Sequence, residues 1–148
     1  VIKKRTVLEF YKEVAVHIPV STLQRDLNLL KLPRWCSSIE QVLAKEGNRA
    51  VIHSDWGSLH IHRELIQTGV RFSVTDDPHA LQWSVTSNGD TVMVYVTINS
   101  TSCSDELRDR LQHFLACWEK GVQQWPARKA AEERKACVNC GDSFGGFG

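Results

Sequence analysis

The sequence predicts an α+β fold: short N-terminal helices, an antiparallel β-meander of about four or five strands, a long covering helix and a Cys-containing C-terminal tail. Three observations carry this expectation. Near Arg49 the apolar spacing changes from helical to alternating. Asn88-Gly89 stands between two alternating runs as a hairpin signal. After Ser104, a good N-cap, an apolar stripe of Leu107, Leu111, Phe114, Leu115, Trp118 and Val122 is broad enough to cover one face of a sheet.

The hairpin from His79 to Ile98 has a readable register. Asn-Gly suits a type I′ turn, which needs positive φ at both central positions. A two-residue turn sets Ser87 against Asp90, Val85 against Val92, Trp83 against Val94 and Leu81 against Val96. The apolar members then share one face, while Gln82, Ser84 and Thr86 share the other with Thr91, Met93 and Tyr95.

The other elements follow in order. Val7, Phe10, Tyr11 and Val14 recur at helical spacing, and Pro19 ends that segment. Ser21 with Gln24 forms a capping box for a helix whose stripe is Leu23, Leu27 and Leu30, stopped by Pro33. Ser37 with Glu40 repeats the pattern before Ile39, Val42 and Leu43, with Gly47 as the C′ residue. Residues 50–55 and 58–63 read as strands around Trp56-Gly57, and Val70, Phe72 and Val74 alternate through a third. Asp76-Asp77-Pro78 is a turn cluster. In the long helix, Asp105 and Glu106 occupy the first turn, where the dipole favours them. Pro126 is expected to separate that helix from a charged segment and a Gly-rich tail. This divides the chain into an α+β domain, 1–125, and a tail, 126–148. The five tryptophans are too spread to form a stacking platform; most read as core, and Trp125 as an interface anchor.

A chain of 148 residues with 42% apolar and 24% charged residues is long enough to bury one substantial core. A net charge of +1 leaves any nucleic-acid contact to a local basic patch. No apolar run approaches the roughly 18–20 residues that span a bilayer, so no membrane association is expected. Five cysteines are an odd number without a spaced framework, which points to a reducing, cytoplasmic setting. The nucleophile elbow, P-loop, dinucleotide-binding and zincin motifs are all missing from the sequence.

Two groups of residues have the spacing of metal ligands. Cys137-Val138-Asn139-Cys140-Gly141 brings two thiolates together and resembles half of a zinc ribbon or zinc knuckle. That resemblance implies a structural zinc completed by other ligands, drawn from Cys36, Cys103, Cys117, a histidine or another chain. A redox pair or two free thiols are the alternatives. His53, His60 and His62 form the second group. A two-residue Trp56-Gly57 turn would set His53 opposite His60, with His62 along the same face and Asp55 and Glu64 beside them. Such a trio could hold a metal with open positions; otherwise it is the wet face of a strand.

Residues 20–27, Val-Ser-Thr-Leu-Gln-Arg-Asp-Leu, resemble the recognition helix of winged-helix repressors, whose early polar side chains enter the major groove. An amphipathic core helix explains the same residues. The sequence therefore points to a non-catalytic accessory or adaptor subunit of a larger assembly, with a zinc-knuckle-like tail and a protein partner. The alternatives are a small metal-dependent enzyme using the histidines, and a DNA-binding protein with a helix-turn-helix-like N-terminal part.

Overall fold

The computed structural model describes residues 7–77, 80–99 and 104–145, with side chains described for 8–77, 80–99 and 104–135. The fold is α+β, and its sheet has seven antiparallel strands among the described residues rather than four or five. These are β1 (Val7–Val14), β2 (Ile39–Glu46), β3 (Arg49–Ser54), β4 (Gly57–Ile66), β5 (Gly69–Val74), β6 (Gln82–Ser87) and β7 (Val92–Asn99). Their order is β1-β7-β6-β5-β4-β3-β2, so the chain's first strand joins its last. Between β1 and β2 run α1 (Val20–Asp26), a 3₁₀ turn (Leu29–Lys31) and the one-turn α2 (Leu32–Trp35). The long helix α3 (Asp105–Gly145) packs on the apolar face of the sheet.

The two extra strands replace two expected helices, and the reason differs for each. In β1, Leu8, Phe10 and Val14 pair with the buried Ile98, Val96 and Val92 of β7. Tyr11 lies on the opposite face and stacks on Tyr95, ring centroids 6.5 Å apart. Apolar residues on both faces blur a strand's alternation, and the free edge of β7 supplies hydrogen bonds that outweigh local spacing. In β2, register shifts between Ile39 and Gln41 and between Val42 and Ala44 break the alternation twice. Bulged spacing at Ile39, Val42 and Leu43 imitates a helix. Gly47, at φ 59°, turns the chain into β3 and is not a helix cap.

The hairpin keeps its faces but moves its register by two. Ser87 pairs with Val92, Val85 with Val94 and Trp83 with Val96, leaving a four-residue loop. The Asn88 side-chain oxygen accepts from the Asp90 and Thr91 amides at 3.1 and 2.9 Å, which holds that wider loop. Gly89 bridges to Ile18 in the connection after β1. Because the slip is even, every apolar side chain stays inside. Leu81, Trp83, Val85, Val92, Val94 and Val96 are all buried.

Ser104 caps α3 as expected, its hydroxyl accepting from the Leu107 amide at 3.1 Å. Leu111, Phe114, Leu115, Trp118 and Val122 are buried against the sheet, each worth roughly 1.5–3 kcal/mol of transfer free energy. The rings form one continuous cluster. Trp83 meets Phe114 edge-on at 5.1 Å and stacks on Phe72 at 5.2 Å, and Trp118 lies 6.4 Å from Phe72.

Pro126 does not end the helix; α3 runs through it to Gly145. An internal proline costs about 3 kcal/mol, and contacts on both sides of it offset that cost. Trp125 stacks on Trp35 at 6.0 Å, so it anchors within the chain. Beyond the proline, Lys129 reaches Asp26 at 3.3 Å and Glu132 reaches Arg34 at 2.5 Å. No helix among the described residues is long and apolar enough to cross a membrane.

Candidate functional site

The turn between β3 and β4 approaches the N-terminal half of α3 without filling the space beneath it. Ser54 builds this turn: its hydroxyl accepts from the Trp56 amide at 3.1 Å and donates to the Gly57 carbonyl at 3.0 Å. Gly57 takes φ 92°, a conformation open to glycine. The Asp55 amide donates to the Ser38 carbonyl at 3.1 Å, which ties the turn to the chain entering β2. The result is a cleft of about 250 Å³ lined by Ser38, Asp55, Trp56, Arg110, His113 and Phe114.

Its floor is aromatic. Trp56 stacks on Phe114 with centroids 5.3 Å apart. On the other side of Trp56 a second, smaller hollow of about 80 Å³ is lined by Leu81, Ile98, Leu107 and Leu111. Beyond Phe114 stand Trp83 and Trp118, both buried, whose indole N–H groups have no acceptor among the described residues. Such donors are costly when unpaired.

The rim is polar and charged. His113 Nε2 lies 3.4 Å from Asp55 Oδ2 and 3.6 Å from Cys117 Sγ, one helical turn further on. The Ser38 hydroxyl donates to the same sulfur at 3.1 Å. Arg110 is paired with Glu106 at 3.0 Å. Behind Cys117, burial pushes the Cys36 thiol up to about 12, and the neighbouring Cys117 sulfur adds repulsion.

Of these residues only Asp55, beside the histidines, and Cys36 and Cys117, as spare thiolates, entered the site expectations drawn from the sequence. The signal was present but weak: His113 and Cys117 are four apart on a well-capped helix, while Ser38 and Asp55 join them only through the sheet.

The expected site residues sit elsewhere. The β3–β4 register places Ser54 opposite Gly57, so Asp55-Trp56 forms the turn and His53 faces Ser58 rather than His60. His60 pairs with Val51 and His62 with Arg49, all on the outer face of the sheet. His53 instead contacts Glu40 at 3.5 Å. Among the described residues no three His, Cys, Asp or Glu side chains are grouped to hold a metal. The side chains of Cys137 and Cys140 lie outside the described residues; the backbone there belongs to α3, where a turn was expected.

The helix that resembles a DNA-recognition helix is sewn to the sheet. Gln24 Nε2 donates to the Ile66 and Gly69 carbonyls at 2.8 and 3.2 Å. Arg63 in turn donates to the Gln24 and Leu27 carbonyls at 2.5 and 2.9 Å, closing the C-terminal end of α1.

A long C-terminal helix across a strongly antiparallel sheet, interrupted after the first strand by short helices, is a START- and cyclase-like arrangement. Solved structures share it. The protein XoxI from Bacillus cereus is 14% identical, with 80% of this chain and 93% of that chain covered at a TM-score of 0.56. A START superfamily protein from Mycobacterium smegmatis is 14% identical, over 80% of this chain and 98% of that one, at 0.54. The di-domain ARO/CYC StfQ of the steffimycin biosynthetic pathway is 15% identical, over 88% of this chain and 52% of that one, at 0.54. No family model matches the chain, and no curated protein matches its sequence.

Proposed function

We propose that this chain is a small-molecule-binding module that holds a flat, largely apolar ligand in the cleft beneath the β3–β4 turn. The observation that carries this reading is the Trp56–Phe114 stack at the floor of a cleft of about 250 Å³. Ligand pockets run from about 300 to 1,000 Å³, so this one suits a ligand of one or two rings. Movement of Trp56 would add the apolar hollow behind it. Asp55, Arg110 and His113 at the rim supply polar groups that orient the ligand, as such pockets do. StfQ, which shares the fold, works in a biosynthetic pathway, in keeping with a small-molecule ligand.

Titration with one- and two-ring aromatic carbonyl compounds tests the reading, followed by tryptophan fluorescence and by NMR of the indole N–H signals. Saturable, single-site binding that shifts the Trp56 and Trp83 resonances is the expected result. Trp56→Ala should weaken it about tenfold, because a lost aromatic contact of roughly 1–1.5 kcal/mol is close to a factor of ten. Indole signals unmoved across the whole panel would overturn the reading. The adaptor role and zinc expected from Cys137 and Cys140 are a separate proposal, concerning side chains beyond those described.

A further inference from the structure

We infer that Cys117 is a nucleophile that captures soft carbon electrophiles, of the α,β-unsaturated carbonyl class, entering through the cleft. Four side chains from three parts of the fold meet at this point. Cys117 and His113 come from one face of α3, Ser38 from the residue before β2 and Asp55 from the β3–β4 turn. Each has a defined relation to the sulfur. His113 Nε2 stands 3.6 Å from Sγ and can take its proton. Asp55 Oδ2 lies 3.4 Å from that nitrogen and can pair with the ring once it has taken the proton. The Ser38 hydroxyl donates to Sγ at 3.1 Å. Arg110 and Asp109 at the cleft rim and Cys36 on the α2 side are further ionisable groups near the cluster.

Cys117 is partly exposed, whereas Cys36 is 1% exposed and its thiol is held protonated. Ser38 and His113, the two groups that touch the sulfur, also line the cleft. An electrophile seated against Trp56 and Phe114 therefore lies beside them. For its ligand class the inference rests on the small-molecule reading of the cleft.

The step balances without an oxidant. His113 takes the proton from Cys117, and the sulfur lone pair forms a bond to the β-carbon. The C=C electron pair moves to the α-carbon, which receives the proton from His113. One S–H has been added across one C=C, and the product is a thioether.

N-phenylmaleimide is the probe, applied to the whole chain and read by peptide mapping of all five cysteines. Cys117 is expected to react faster than Cys36 and faster than glutathione. His113→Asn, at an exposed position, should keep the native circular dichroism. It should slow labelling of Cys117 about tenfold or more through loss of the positioned base, with the rates at Cys137 and Cys140 unchanged. Labelling of Cys117 no faster than Cys36, or a rate insensitive to His113→Asn, would overturn the inference. Reversible binding of the saturated analogue N-phenylsuccinimide to Cys117→Ser separates the two readings. Binding there without labelling of the wild type removes only the nucleophile. His113-dependent labelling without saturable binding removes the cleft reading and leaves the reactive thiol.

Discussion

Gly121 of the long helix lies directly against the Trp35 backbone at the end of α2. A Cβ on Gly121 would come within 2.6 Å of the Trp35 carbonyl carbon and 3.1 Å of its Cα. The same contact brings the Trp35 and Trp125 rings together at 6.0 Å, so the α2–α3 crossing depends on a missing side chain. Gly121→Ala is expected to destabilise by about 1–3 kcal/mol, the cost of overpacking against backbone that cannot rotate away. Urea unfolding measures it, and Gly47→Ala is the control. At Gly47 nothing lies within 4 Å of a Cβ, so only the positive φ of 59° opposes the substitution, at roughly 1 kcal/mol.

Val94 tests the placement of the sheet under α3. It pairs with Val85 on one side and Lys12 on the other and is fully buried. Val94→Asp should leave no cooperative thermal transition, since an unpaired buried carboxylate costs several kcal/mol against a total stability of about 5–15. A folded, soluble Val94→Asp protein with native circular dichroism would contradict the placement of this strand.

Asp26, at the end of α1, ties that helix to α3 through Lys129. Burial alone would raise its carboxyl, but hydrogen bonds and charges from Arg25 and Lys129 outweigh it and hold the group below the usual carboxylate range. The folded-state value lies below the unfolded one. This contribution to stability is therefore complete above about pH 4, the unfolded value, and is lost as pH falls through the lower folded value. Asp26→Asn should cost about 1–3 kcal/mol at neutral pH, and the difference from wild type should shrink in acid. Denaturant melts across pH 2 to 7 read this on the order of tenths of a kcal/mol per point. A difference independent of pH would exclude the ion pairs as its cause.

The zinc expectation at the C-terminal cysteines has its own measurement. Thiolate ligation predicts metal in protein purified without added zinc, lost in the Cys137→Ser, Cys140→Ser double variant and released as pH drops. The α+β fold should be unchanged by that loss, because among the described residues the last buried one is Val122. Metal-free wild-type protein would leave the two cysteines without a ligand role.

Much of the core was legible from residue spacing. The alternation through Leu81–Val85 and Val92–Val96 assigned the buried face, and that face survived the loop's two-residue change because side chains repeat every second residue. The stripe from Leu107 to Val122 likewise named the helix that covers it, and Ser104 its start. These features depend on neighbours within one or two turns or on one strand pair, so a linear pattern determines them. The strands β1 and β2 were not legible. One carries apolar residues on both faces and the other carries two register shifts, and only the sheet edges they complete select strand over helix. The cleft was hidden for a related reason. Ser38, Asp55, His113 and Cys117 converge because the β3–β4 turn is held against β2 and α3 is laid over both. The histidines went the other way: a turn at Asp55-Trp56 moved the partner of His53 two residues, from His60 to Ser58. Spacing along the chain determined which residues this protein buries; only the tertiary structure decided which polar groups meet, since that depends on long-range packing no local pattern records.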